Sequence, residues 1–136
     1  DQKNLEMSYY NTKNKEYIPS GGVEGFYSFS SNETGSASRI YVLDGISWER
    51  ALAVLSHELT HAWQIDNCPR DQRLLYREGF AQWVAYKVML HKGYTDEAEA
   101  LLASQDAIYG EGLKFMLSVE AYYGVSGTIE YVKTLR

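Results

Sequence analysis

The chain has 136 residues, with 13 lysines and arginines against 18 aspartates and glutamates, for a formal net charge of −5. That acidic balance argues against nucleic acid or an anionic membrane as the main partner. The single cysteine, Cys68, excludes an intrachain disulfide, and no apolar run is long enough to cross a bilayer.

Apolar residues at 45% and charged residues at 23% are the proportions of a soluble globular domain, and the length suits one domain over residues 1–136. One cysteine fits a reducing compartment and an extracytoplasmic enzyme equally. The chain starts at Asp1 rather than Met, so further sequence and other domains are expected upstream.

In chain order, Leu5 to Tyr10 reads as a strand and Pro19-Ser20-Gly21-Gly22 as a break. Glu24 to Ser30 reads as a strand through Phe26, Tyr27 and Phe29. Ser31 to Ser38 is turn chemistry, and Arg39 to Leu43 is a second strand, so a hairpin with a longish loop is expected. Ser47 is a good N-cap for a helix running to about Asp66, with Glu49 in its first turn and Asn67-Cys68-Pro69 as its stop. A second helix is expected from about Asp71 to Lys92, ended by Gly93. Thr95 should cap a short third helix through about Ser104. Ile108 to Tyr123 should form a fourth, closed by Gly124, and Ser126 should cap a last one to about Leu135. Strands first and helices after predict an α+β fold.

The chemistry lies in His57-Glu58-Leu59-Thr60-His61. On a helix, residues four apart differ by one turn plus about 40°, so both imidazoles address one ion. Neutral imidazole suits Zn²⁺. Glu58 lies about 100° round from His57, within reach of a metal-bound water whose proton it can take. This is the mechanics of the H-E-x-x-H pattern. The pattern arises by chance in roughly one chain of this length in several hundred. Its position inside a strongly predicted helix lowers that chance. Leu52, Leu55, Leu59, Ala62 and Trp63 form an apolar arc on the same helix, and both histidines point away from it, beside Arg50 and Gln64.

A zinc peptidase needs a third protein ligand and an open fourth position. No third histidine stands at the metzincin spacing, and His91, near a helix C-terminus, is placed well by the helix dipole alone. Glu78, 17 residues past His61, is the better ligand. It shares a helix face with Leu74, Ala81, Ala85 and Met89, where a lone carboxylate is costly unless a metal or an arginine such as Arg50 meets it. Gly79 beside it would permit close approach of the two site helices. Gln82, one turn on, would orient a ligand. Tyr109, before Gly110 at a helix start, is the candidate donor to a developing oxyanion. The strands could hold an extended peptide by main-chain hydrogen bonds.

His57-Glu58-Leu59-Thr60-His61-Ala62-Trp63, followed by Glu78-Gly79-Phe80-Ala81-Gln82, resembles the gluzincin metallopeptidases. More narrowly it is similar to the peptidase domain of the plant LIM-domain, ubiquitin-activated peptidases, and in scale and layout to the minimal gluzincins of prokaryotes. Tyr109-Gly110-Glu111-Gly112, Tyr123-Gly124 and Ile129-Glu130-Tyr131-Val132 extend the likeness, which covers roughly Ile40 to Arg136. The resemblance implies a zincin-like fold, one zinc held by His57, His61 and Glu78, and Glu58 as base. The 136 residues contain neither a LIM module nor a ubiquitin-binding helix, so ubiquitin control is not implied. Residues 1–39 match no part of that domain and read as an upstream or covering segment.

The expectation is therefore a zinc metallopeptidase acting on peptide or protein substrates, with a small antiparallel sheet, an active-site helix and a helical C-terminal half. Three competing readings are an inactive or latent binding module within a larger protein, a structural zinc site closed by Cys68, and a hydrolase of non-peptide amides.

Overall fold

The computed structural model describes residues 24–136, so the strand expected at Leu5 to Tyr10 and the break after it lie outside the described residues. The fold is α+β: two antiparallel strands, β1 (Gly25–Asn32) and β2 (Gly35–Val42), precede four helices. These are α1 (Trp48–Asn67), α2 (Leu74–Lys92), α3 (Thr95–Leu102) and α4 (Tyr109–Val132).

The hairpin is tighter than its sequence suggests. Pairing runs from Gly25↔Val42 to Asn32↔Gly35, so the loop is only Glu33-Thr34, and most of the stretch from Ser31 to Ser38 is strand. Asn32 closes the turn by accepting from the Thr34 amide at 2.9 Å and from its hydroxyl at 2.7 Å. Gly35, at φ +148°, takes a backbone conformation that side-chain-bearing residues rarely adopt. This end of the ribbon is exposed on both strands, so backbone pairing needs no apolar residues there. The other end docks on α1: Phe26 is buried, and Gly25 lies against Val54 and Glu58. Residues 24–39, expected as upstream or covering chain, thus include the strand that lies over the metal-motif helix.

α1 forms as its sequence predicts, with the Ser47 hydroxyl accepting from the Arg50 amide at 3.2 Å. Its burial extends beyond the apolar arc, of which Leu52 and Trp63 pack against the core. Ala53, Val54, His57, Glu58, Thr60, His61 and Gln64 are buried, whereas Leu59 is 53% exposed. The polar stripe is turned inward because α2 offers it matching polar partners. α2 begins at Leu74 rather than Asp71, since the Gln72 amide closes a turn on the Pro69 carbonyl. It ends at Gly93 in the left-handed conformation, at φ +76°. α3 has Tyr94, not Thr95, at its N-cap and stops at Leu102. α4 is two helical segments joined at a kink, where Gly124 stands at φ +73° and ψ 179°, so the expected break and last helix are both present; the last segment follows Gly124 directly, ahead of Ser126, and ends at Val132.

α2 is the central element, packed against α1, α3 and α4. Phe80, Trp83, Ala85 and Met89 on α2 join Leu113 and Met116 on α4 and Leu101 on α3 in one core. Gly79 serves a different contact from the one expected. A Cβ there would stand 2.6 Å from the Gly112 backbone of α4, so it brings α4, not α1, onto α2. Gly79→Ala should destabilise the fold by about 1–3 kcal/mol through overpacking, read as a fall in Tm of several degrees. An unchanged Tm would show that the two helices separate freely.

Candidate metal centre

The α1–α2 seam builds the site. α1 supplies His57, Glu58 and His61 over little more than one turn, and α2 brings Glu78 opposite them; all four are buried, Glu78 to 1% exposure. His57 Nε2 lies 3.0 Å from Glu78 Oε2, His61 Nε2 lies 3.1 Å from the same oxygen, and the two Nε2 atoms are 3.1 Å apart. The three atoms form a nearly equilateral triangle. Ligands about 2.0–2.1 Å from a tetrahedral ion are separated by about 3.3 Å, so the triangle has close to the right edge for one face of such a site.

The other ring nitrogens show which atoms carry protons. Gln64 donates its amide N–H to the Arg77 carbonyl at 2.9 Å, which turns its Oε1 toward His61 Nδ1 at 2.8 Å. An amide oxygen only accepts, so His61 Nδ1 is the donor and its Nε2 lone pair faces the triangle. Gln82 Oε1 stands 2.8 Å from His57 Nδ1 and does the same for that ring. Two imidazole lone pairs and a carboxylate thus converge in a buried space, which is unfavourable without a cation or a proton between them. Glu78 Oε1 is also buried and has no hydrogen-bond partner among the described residues. The group satisfies the chemistry of a metal site, and its ligand atoms all lie within 4.8 Å of one another.

Without a metal, a proton does the neutralising. Burial pulls the His57 imidazole down, but the hydrogen bond to Glu78 and the charges of Glu58 and Glu78 outweigh it and hold it above its ordinary 6.5. Burial pushes Glu78 up, but the charge of His61 and the hydrogen bonds to both histidines hold it well below its ordinary 4.5.

The structure brings the other expected residues to the same place. Among the described residues the Glu58 carboxylate has no hydrogen-bond or ion-pair partner, although the residue is only 8% exposed. The Tyr109 ring stacks on His57 with centroids 5.5 Å apart. Gly110 itself packs on the Ser104 carbonyl rather than on the site. Arg50, the rival partner for Glu78, pairs instead with Glu24 and Glu97. Cys68 stands outside the ligand group, so a site closed by its thiol gains no support, and His91 is exposed at the end of α2. Sequence reading gave Gln64 no role. Its signal was its position three residues past His61, on the same helix face.

A cleft of about 260 Å³ opens beside His61, between β1 and the facing ends of α1 and α2. The chain matches no protein-family model, no curated protein and no solved structure.

The two shifts give the metal-free protein a pH signature. His57, held high, contributes stability that is full below 6.5 and lost as pH rises through its folded value. Glu78, held low, contributes stability that is full above 4.5 and lost as pH falls through its folded value. In chelator-treated protein, the stability lost in Glu78→Gln should be greatest between pH 4.5 and 6.5 and shrink above that window. Denaturant titrations showing a pH-independent difference would contradict the imidazolium–carboxylate pairing.

Proposed function

We propose that this protein is a zinc-dependent metallopeptidase of gluzincin type, with a zincin-like arrangement of hairpin, metal-bearing helix and glutamate-bearing helix. The observation that carries the reading is the convergence of His57, His61 and Glu78 within 3.1 Å, with a Glu58 carboxylate one residue along from His57 that has no partner among the described residues. Two histidines and a carboxylate also suit non-haem iron. The adjacent carboxylate favours hydrolysis, because a base is what a hydrolytic site needs there.

A bound zinc ion supplies Lewis acidity, lowering the pKa of a water molecule and polarising a carbonyl. The remaining work falls to the side chains. Gln64 and Gln82 hold the Nδ1–H of His61 and His57, which keeps both Nε2 lone pairs turned inward. Glu58 accepts the proton of the attacking water and passes it to the leaving amine. Tyr109, held against His57, is the proposed donor to the oxyanion. β1, with Gly25 over Glu58 and Tyr27 and Phe29 along the cleft, offers main-chain groups to an extended peptide.

Glu58→Gln should retain zinc and lose peptide turnover by about a hundredfold to ten-thousandfold, the usual contribution of a positioned base. Retained turnover would defeat the mechanism. A zinc-loaded wild type that binds peptides and cleaves none would instead be the binding module.

A further inference from the structure

The cleft beside His61 combines apolar walls with two arginines. Tyr27 and Phe29 of β1 and Ile65 of α1 line it, and Arg70 and Arg77 complete it. Among the described residues neither arginine is paired with a carboxylate, in a chain whose net charge is −5. The acidic residues nearest in sequence do not serve: Asp66 is exposed, Asp71 is taken by Arg136 at 3.2 Å, and Glu78 is engaged by the histidines. Arg77 is half-buried, and among the described residues its guanidinium makes one hydrogen bond, from Nη2 to the Arg70 carbonyl at 2.7 Å. Its remaining N–H groups are in the planar fork that binds a carboxylate through two bonds.

Arg77 is also rigidly tied to the metal centre. It immediately precedes Glu78, and its carbonyl accepts from Gln64, which in turn orients His61. A group seated in the cleft therefore lies beside a metal ligand, where a residue flanking the scissile bond would fall.

We infer that this cleft is a substrate subsite for a carboxylate, with Arg77 as its anchor and Arg70 assisting. The carboxylate is either an aspartate or glutamate side chain next to the scissile bond or the free C-terminus of the peptide. The inference rests on the metallopeptidase reading for its placement and makes the preferred substrates acidic.

The test uses peptides identical except for glutamate or glutamine beside the cleavage site, each as a C-terminal acid and as an amide. Cleavage is followed in the zinc-loaded wild type, and binding in the zinc-loaded Glu58→Gln variant by fluorescence anisotropy. The carboxylate-bearing member of a pair should bind about tenfold tighter, and the ratio should fall to about one when Arg77→Met is added. Should Arg77→Met fail to fold, Arg77→Gln serves in its place, and the wild-type ratio should shrink as salt is raised. Preference within the glutamate pair assigns a side chain; preference within the acid–amide pair assigns a C-terminus. Equal binding within both pairs, or a preference that survives the loss of Arg77, overturns the inference, even if both peptides are cleaved. An Arg77-dependent preference without cleavage keeps the subsite and removes the peptidase reading.

Discussion

Three lone-pair-bearing atoms that face one another across the α1–α2 seam constrain how those two helices pack. His57 Nε2, His61 Nε2 and Glu78 Oε2 stand 3.0–3.1 Å apart, buried between the two helices. Such an arrangement is unstable by itself and becomes favourable with a positive charge at its centre. The polar stripe of α1 is therefore buried as well, while of its apolar arc Leu52 and Trp63 pack on the core and Leu59 is left 53% exposed. An apolar stripe normally decides which way a helix turns. Here the polar partners on α2 share in that choice.

The surrounding structure keeps that seam in place. The two glutamines fix the outer nitrogens of the imidazoles, and Gln64 also ties α1 to the Arg77 carbonyl of α2. Behind α2, the contact between Gly79 and Gly112 seats α4, whose first residue, Tyr109, stacks on His57. In front, the first turn of the hairpin ladder lies over Glu58, with Gly25 close enough that a side chain there would meet Val54 and the Glu58 methylene. His57, His61 and Glu78 are thus held by rigid elements, as a preorganised site requires. The cleft with its two arginines lies along the open side.

Much of this was legible in the sequence because it depends on short-range spacing. Ser47, Gly93 and Gly124 mark a helix start, a helix end and a helix break through local backbone chemistry, and the structure has all three. The four-residue separation of His57 and His61 places both rings together for the same local reason. What depended on partners distant in sequence was less visible. The role of Gln64 needed the Arg77 carbonyl on α2. The role of Gly79 needed Gly112, on another helix. The hairpin loop shrank to Glu33-Thr34 because an Asn32 side chain closed it, where composition alone suggested a longer polar turn. Cys68 and Arg50 were plausible partners by residue type, and the chain's path kept both away from Glu78.

Whether His57, His61 and Glu78 together hold one metal ion is tested by zinc stoichiometry and affinity in the purified protein, measured beside His57→Ala and Glu78→Ala variants whose folding is checked by circular dichroism. The wild type should hold one zinc per chain tightly, and both variants should lose it or bind it much more weakly. A folded wild type that neither contains nor takes up zinc, or full zinc occupancy in Glu78→Ala, would contradict a metal held by all three.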